Sequence, residues 1–121
     1  MSNIPPRLRI RLVFGSGARL GPGKADLLGA IGRRGSISAA GRELGMSYKR
    51  AWTLVEEMNA TFSEPLVNST RGGKKGGGAR LTGVGLRVLT LYRRIEAEAA
   101  SSGSAALIEL QAMASDISSQ E

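Results

Sequence analysis

A short polar run near the middle of the chain carries the side chains whose chemistry is most informative. Its members are Ser47, Tyr48, Lys49, Arg50, Trp52 and Thr53. Hydroxyl and ammonium groups can hydrogen-bond to base edges, cations can neutralise phosphates, and aromatic rings can pack on a sugar or a thymine methyl group. The run therefore predicts noncovalent recognition of duplex DNA. For Tyr48 and Trp52, simple packing at the edge of the domain is the alternative.

A glycine-rich basic loop follows this run. Residues 71–80 contain four cations and no acid, the cations being Arg71, Lys74, Lys75 and Arg80. Glycines let a loop follow the wall of a groove, and the cations would release counterions from a duplex. A phosphate-binding P-loop needs Ser or Thr after its lysine, whereas glycines follow Lys75. We interpret the loop as a DNA-contacting wing, with a plain flexible linker as the alternative.

The composition argues against most catalytic chemistry. The chain has 121 residues, enough for one compact domain with an extension, and it contains neither cysteine nor histidine. Thiolate ligands, imidazole ligands and imidazole bases are therefore unavailable. Residues 15–21 resemble a dinucleotide-binding fingerprint, but the third glycine comes one residue late. We expect no enzymatic activity, no metal site and no cofactor.

The charges are divided unevenly along the chain. Residues 1–94 hold all 17 Lys and Arg together with five acids, whereas residues 95–121 hold five acids and no cation. A basic body suits a polyanionic partner, and the acidic end is expected to serve another purpose. Neither a secretory signal nor a membrane-spanning run is visible, so we expect a cytoplasmic protein.

Two short helices and a tight turn are needed to position the polar run. Ser36 is a plausible N-cap for a first helix over residues 37–44, Gly45 supplies the turn, and Ser47 caps the second helix. In a helix-turn-helix the second helix inserts its first turn into the major groove, while the first crosses the backbone. We therefore place Ser36 and Ser38 of the first helix among the DNA-binding residues.

The remaining pattern indicates the fold class. Arg7–Phe14 alternates like a half-buried strand, a helix ends near Gly35, and two short strands flank the basic loop. A long helix opens at Thr82 or Gly83 and is interrupted near residues 101–104. We predict a mainly α fold with a small β-hairpin, a winged helix-turn-helix. Residues 1–82 would form the DNA-binding domain and residues 83–121 a C-terminal helical dimerisation extension.

The long helix has an apolar stripe with little to cover it in so small a domain. The stripe comprises Leu86, Leu89, Tyr92, Ile95 and Ala99. Pairing with a second copy would bury it, and a two-fold dimer suits palindromic half-sites. The alternative is a helix that folds back on its own domain.

Several segments together are typical of one family of regulators. They are GSISAAGRELGMSYKRAW, EMN, PLV, GGKKGGGARLT and LYRRIE. These segments resemble the N-terminal domain of the ModE family of molybdate-responsive transcription regulators, a winged helix similar to that of LysR-type regulators. The resemblance spans Leu8 to Glu96 and implies a dimeric bacterial repressor or activator with Ser47–Thr53 in the major groove.

Two departures from that family limit what the resemblance implies. Gly41 stands where the family usually has alanine, which should cost a helix interior about 0.5–1 kcal/mol. The family's molybdate-binding C-terminal domain also has no counterpart in these residues, so we expect no tight molybdate site. The leading hypothesis is a homodimeric, sequence-specific DNA-binding regulator of repressor type. The second is a sensor-less interaction module that pairs with another regulator or partner protein.

Overall fold

The computed structural model describes residues 6–70 and 78–118, the last four of these as backbone only. The elements in chain order are β1 Leu12–Val13, β2 Arg19–Leu20, α1 Pro22–Arg34, α2 Ile37–Glu43, α3 Tyr48–Thr61, β3 Val67–Thr70, β4 Gly78–Leu81, α4 Gly83–Ser102 and α5 Ser104–Ser118. The predicted mainly helical fold with a small hairpin is confirmed. Among the described helices, none is long and apolar enough to cross a membrane.

The core lies where α1, α2 and α3 meet the base of the β3–β4 hairpin. Its largest fully buried side chains are those of Leu27, Leu28, Ile31, Met58, Leu66 and Tyr92. Helix α1 begins with Pro22 and ends at Gly35, which takes a left-handed conformation with φ of 71°. Glycine adopts this conformation without a Cβ penalty, so α1 stops there and the chain turns directly into α2.

The N-terminal strand is shorter than predicted, although its alternation is confirmed. Only Leu12–Val13 pairs with Arg19–Leu20 in an antiparallel ladder. Leu8, Ile10 and Leu12 are half-buried, while the intervening arginines are exposed. The ladder is short because its partner strand has two residues before α1 begins at Pro22. The turn between the strands is closed by the Gly17 amide, which donates to the carbonyl of Phe14 at 2.8 Å.

The β3–β4 hairpin is fastened to the helices by backbone contacts. The Ala79 amide donates to the carbonyl of Gly35 at 2.9 Å, and the Thr82 amide donates to the carbonyl of Leu66 at 2.9 Å. A Cβ atom built on Gly85 would lie 2.1 Å from the Leu66 carbonyl oxygen, so α4 can start this close to the hairpin only because residue 85 is glycine.

The predicted long C-terminal helix is two helices. The break falls at Gly103, inside the interruption expected near residues 101–104. Beyond it, none of the described side chains of α5 is buried. Ile108, Leu110 and Met113 are 38%, 59% and 59% exposed, which leaves an apolar helix uncovered within this chain.

Candidate nucleic-acid interface

The helix-turn-helix formed by α2 and α3 has a serine N-cap on each helix and a glycine in the turn between them. Ser36 Oγ accepts from the Ala39 amide at 3.1 Å, and Ser47 Oγ accepts from the Arg50 amide at 3.0 Å. Gly45 has φ of 72°, so the predicted positive φ is confirmed. A capping hydroxyl still has its own O–H to donate. Ser36 and Ser47 therefore fix the N-termini of α2 and α3, while the hydroxyl of each keeps its own hydrogen to donate.

Helices α2 and α3 approach each other closely at Gly41. A Cβ atom there would lie 3.2 Å from Ala51 Cβ and 3.5 Å from the carbonyl oxygen of Met46. The Met46 amide donates to the Gly41 carbonyl at 2.8 Å, which closes the turn. The departure from alanine noted in the sequence thus coincides with the tightest point of the helix crossing.

The first turn of α3 presents three exposed side chains, Tyr48, Lys49 and Arg50. The buried stripe of the same helix comprises Ala51, Leu54, Val55 and Met58. Because these apolar residues face the core at helical spacing, the residues that precede them are held at the surface. Tyr48 is 60% exposed, whereas Thr53 is half-buried one turn further on.

Trp52 lies at the edge of the domain rather than on the exposed surface. Its ring is half-buried and packs against the core, and it meets the Tyr48 ring edge-on with centroids 6.1 Å apart. The indole Nε1 is buried and has no hydrogen-bond partner within the described residues. Packing at the domain edge, the alternative considered for Trp52, describes its position, whereas Tyr48 remains exposed.

Two further exposed cations lie on β4 and α2. Arg80 is exposed on β4, directly across the ladder from Asn68. Arg42, which sequence reasoning omitted, is exposed on α2 and donates to Ser38 Oγ at 2.9 Å. The sequence could have indicated it, because Arg42 comes four residues after Ser38 and therefore lies on the same face of α2. The predicted wing residues Arg71, Lys74 and Lys75 lie outside the described residues.

The acidic side chains of the basic body are largely occupied by cations elsewhere. Glu43 bridges Arg33 and Arg34, the latter at 2.9 Å, while Lys24 pairs with Glu57 at 3.2 Å. Hydrogen bonds from Arg34 and then Arg33 hold the pKa of Glu43 below its ordinary value. In the part of the chain that the structure describes, the cations of the candidate interface have no carboxylate partner; they are Arg42, Lys49, Arg50 and Arg80.

The residues predicted for dimerisation divide into two groups. Leu86 and Ile95 are 57% and 39% exposed, and Ala99 is half-buried. Leu89 packs against the core. Tyr92 must be reassigned, because it is 1% exposed and its hydroxyl donates to the carbonyl of Ile10 within the same chain. Burial raises the pKa of the Tyr92 phenol, as expected for a group that serves the core.

Curated relatives cover part of this chain and are themselves much longer. Molybdenum-pterin-binding protein MopB of Rhodobacter capsulatus is 52% identical over 82 residues, which cover 68% of this chain and 30% of MopB. Molybdenum transport protein ModE of Azotobacter vinelandii is 41% identical over 74% of this chain and 33% of its own length. The DNA-binding transcriptional dual regulator ModE of Escherichia coli K12 is 45% identical over 59% of this chain and 27% of its own length. The resemblance to ModE-type regulators is confirmed, and the chain spans about a third of the length of these relatives.

A solved structure and a family match identify the fold. The crystal structure of the CbnR_DBD-DNA complex superposes with a TM-score of 0.54 at 24% identity, covering 69% of this chain and 90% of that one. At this identity the likeness shows the winged-helix fold alone. Residues 25–86, from α1 to the start of α4, match the bacterial regulatory helix-turn-helix proteins of the LysR family. This protein therefore belongs to the LysR family of bacterial helix-turn-helix regulators.

Proposed function

We propose that this chain is a transcription regulator that binds duplex DNA with sequence preference through the first turn of α3. The observation that carries the proposal is the exposed trio Tyr48, Lys49 and Arg50 behind a serine cap, with no carboxylate partner among the described residues. The N-terminus of a helix also favours nearby phosphate. The names of the relatives, which include a DNA-binding transcriptional dual regulator, point the same way.

The chemistry divides between reading bases and holding the backbone. Ser47, Tyr48, Lys49 and Thr53 are proposed to meet base edges, since they occupy the turn that enters the major groove. Backbone contacts are assigned to Ser36, Ser38, Arg42, Arg50, Arg80 and the wing residues Arg71, Lys74 and Lys75. The proposal assigns binding rather than catalysis to this chain. It includes no molybdate site, and binding to bacterial chromosomal DNA would place the protein in the cytoplasm.

A homodimer on a palindromic operator completes the proposal. Residues 1–82 would bind one half-site, and residues 83–121 would pair with a second copy. The exposed apolar residues of α4 and α5 support this, because Leu86, Leu110 and Met113 are each more than half exposed. A two-fold dimer would present two α3 helices to half-sites one helical turn apart, about 34–36 Å. We favour repression as the outcome.

Fluorescence anisotropy tests the proposal with a selected genomic duplex and a scrambled one, titrated across salt. We expect a large affinity ratio that persists at physiological salt. Arg50→Ala should weaken binding clearly, whereas Arg94→Ala should not, since Arg94 is an equally exposed cation on α4 that pairs with Glu98. Equal, steeply salt-dependent binding to both duplexes would contradict sequence-specific recognition.

A second candidate function follows from the uncovered α5. In this alternative the winged helix is an interaction module that pairs with another regulator through the cation-free segment after Ile95, which includes the exposed apolar residues of α5. Mixing this chain with a tagged longer relative and analysing the products by size would reveal mixed dimers. Their formation without any sequence preference of this chain on DNA would favour the interaction module.

A further inference from the structure

A row of arginines lies on one face of the N-terminal segment and hairpin. Arg7, Arg9 and Arg11 are all exposed and separated by half-buried residues. In an extended chain such alternate residues share a face, with about 7 Å between neighbours. Val13 continues this face at 64% exposure, and Arg19 lies beside it across the β1–β2 ladder. We call Arg7, Arg9, Arg11 and Arg19 the N-terminal arginine face.

This face has no acidic partner in the described chain. None of its four guanidinium groups forms an ion pair with a described carboxylate, whereas Lys24, Arg33, Arg34, Arg93 and Arg94 all do. The guanidinium group of arginine can form two parallel hydrogen bonds to one carboxylate and is only weakly hydrated. Arginine therefore suits an interface better than lysine does. The exposed Val13 among them gives the face an apolar centre.

The arginine face is held far from the first turn of α3. Phe14, at the end of β1, packs edge-on against Phe62, with ring centroids 5.6 Å apart. Phe62 caps the C-terminal end of α3, a helix of 14 residues and therefore roughly 20 Å long. On its other side the segment is tied to α4 through the bond from the Tyr92 hydroxyl to the Ile10 carbonyl. A duplex read by residues 47–50 would meet the opposite end of the domain.

Helix α5 has the complementary properties. Residues 104–118 contain Glu109 and Asp116 and no cation, and Ile108, Leu110 and Met113 expose apolar surface. Within one chain, the arginine face and these apolar residues of α5 are both exposed to solvent. We propose that the arginine face receives α5 of a second copy, with Val13 against its apolar side and the arginines around Glu109. The inference rests on the homodimer proposed above and adds a reciprocal contact between the body of each copy and the C-terminal helix of its partner.

Cysteine cross-linking tests this contact directly, because the chain has no cysteine of its own. Val13→Cys and Leu110→Cys chains carrying tags of different size are mixed without DNA and treated with a short bis-maleimide. Both positions are exposed, so folding should be preserved. We expect a mixed cross-linked product from this pair. Ser69→Cys, at an exposed position on the other hairpin, mixed with Leu110→Cys should give none. Absence of the mixed product from the first pair, while ultracentrifugation still shows dimers, would overturn the proposal.

Removing the charge provides the second readout. In the Arg7→Gln, Arg9→Gln, Arg11→Gln triple variant the dimer dissociation constant should rise about tenfold, because three exposed cations that attract the acidic α5 of the partner are lost and each contributes modestly. Its affinity for DNA, measured at concentrations that keep it dimeric, and the salt slope of that binding should match the parent. Unchanged self-association together with a flattened salt slope would mean that the face contacts DNA, and the proposal would be wrong. A failure of the proposed DNA function would give a different result. The parent protein would then bind the selected and scrambled duplexes equally, while the Val13→Cys and Leu110→Cys chains would still cross-link.

Discussion

Asn59 joins α3 to the base of the β3–β4 hairpin, and its replacement by alanine should clearly destabilise the domain. Its Oδ1 accepts from the Leu66 amide at 2.8 Å and from the Val67 amide at 3.1 Å, while its Nδ2 donates to the Val67 carbonyl at 3.1 Å. Leu66 and Val67 are 0% and 3% exposed, so water cannot easily replace these bonds. Asn59→Ala would therefore leave two buried donors and one buried acceptor without partners.

The magnitude follows from those three groups. An unsatisfied buried polar group costs about 1–3 kcal/mol, and the half-buried site of Asn59 favours the lower end because some water could enter. We expect Asn59→Ala to lower the free energy of unfolding by about 3 kcal/mol, a large fraction of the roughly 5–15 kcal/mol typical of a domain. Urea unfolding followed by circular dichroism would measure it.

Asn68→Ala is the matched control for this prediction. Asn68 is the same residue type and lies on the hairpin that Asn59 contacts, but it is exposed. Its loss should change the free energy of unfolding by less than about 0.5 kcal/mol. If the two variants unfolded at the same urea concentration, or Asn59→Ala lost under about 1 kcal/mol, the assigned role of the amide would be refuted.

Three further predictions concern the start of α4, the link between α1 and α2, and the wing. Gly85→Ala should destabilise the domain by about 3 kcal/mol or more, because its Cβ would lie 2.1 Å from the Leu66 carbonyl oxygen. Gly83→Ala is the control, because a Cβ there meets open space. Equal melting temperatures of the two variants would contradict the prediction. The stability that Glu43 contributes is present above its unfolded pKa of 4.5 and is lost as pH falls through its lower folded pKa. In Glu43→Gln, the free energy of unfolding in urea should therefore fall less steeply as the pH is lowered through this range. An unchanged decrease at acid pH would count against the prediction. Lys74→Ala with Lys75→Ala should weaken binding on all duplexes and flatten the salt slope by about one to two units, and an unchanged slope would exclude phosphate contact by the wing.

The features that sequence reasoning predicted correctly are set by neighbouring residues. Ser36 and Ser47 cap helices because each offers a side-chain acceptor directly before a helical pattern, and α4 opens at Gly83 after Thr82, within the predicted start. Gly45 forms the turn because glycine accepts positive φ. Such signals act over three or four residues, which is why the helix-turn-helix could be located before its packing was known.

The features that were missed depend on contacts between distant parts of the chain. Tyr92 fits the exposed stripe by spacing, yet it is buried because the N-terminal segment, 82 positions earlier, covers it. Trp52 follows the exposed first turn of α3, but its ring reaches back to the core. Nothing local distinguishes Asn59 from a surface residue, since its partners lie beyond the end of α3.

The hairpin stem also has a consequence for how DNA preference could change. Thr70 and Gly78 face each other at its open end, and the stem below them is fixed by Gly35, Asn59 and Thr82. The two ends of the intervening loop are therefore held at a constant separation by the rest of the domain. Lengthening a loop between fixed ends costs only about 0.6 kcal/mol for each doubling. Residues 71–77 could thus be exchanged or extended, by evolution or by design, without refolding α2 and α3, the helices proposed to contact DNA.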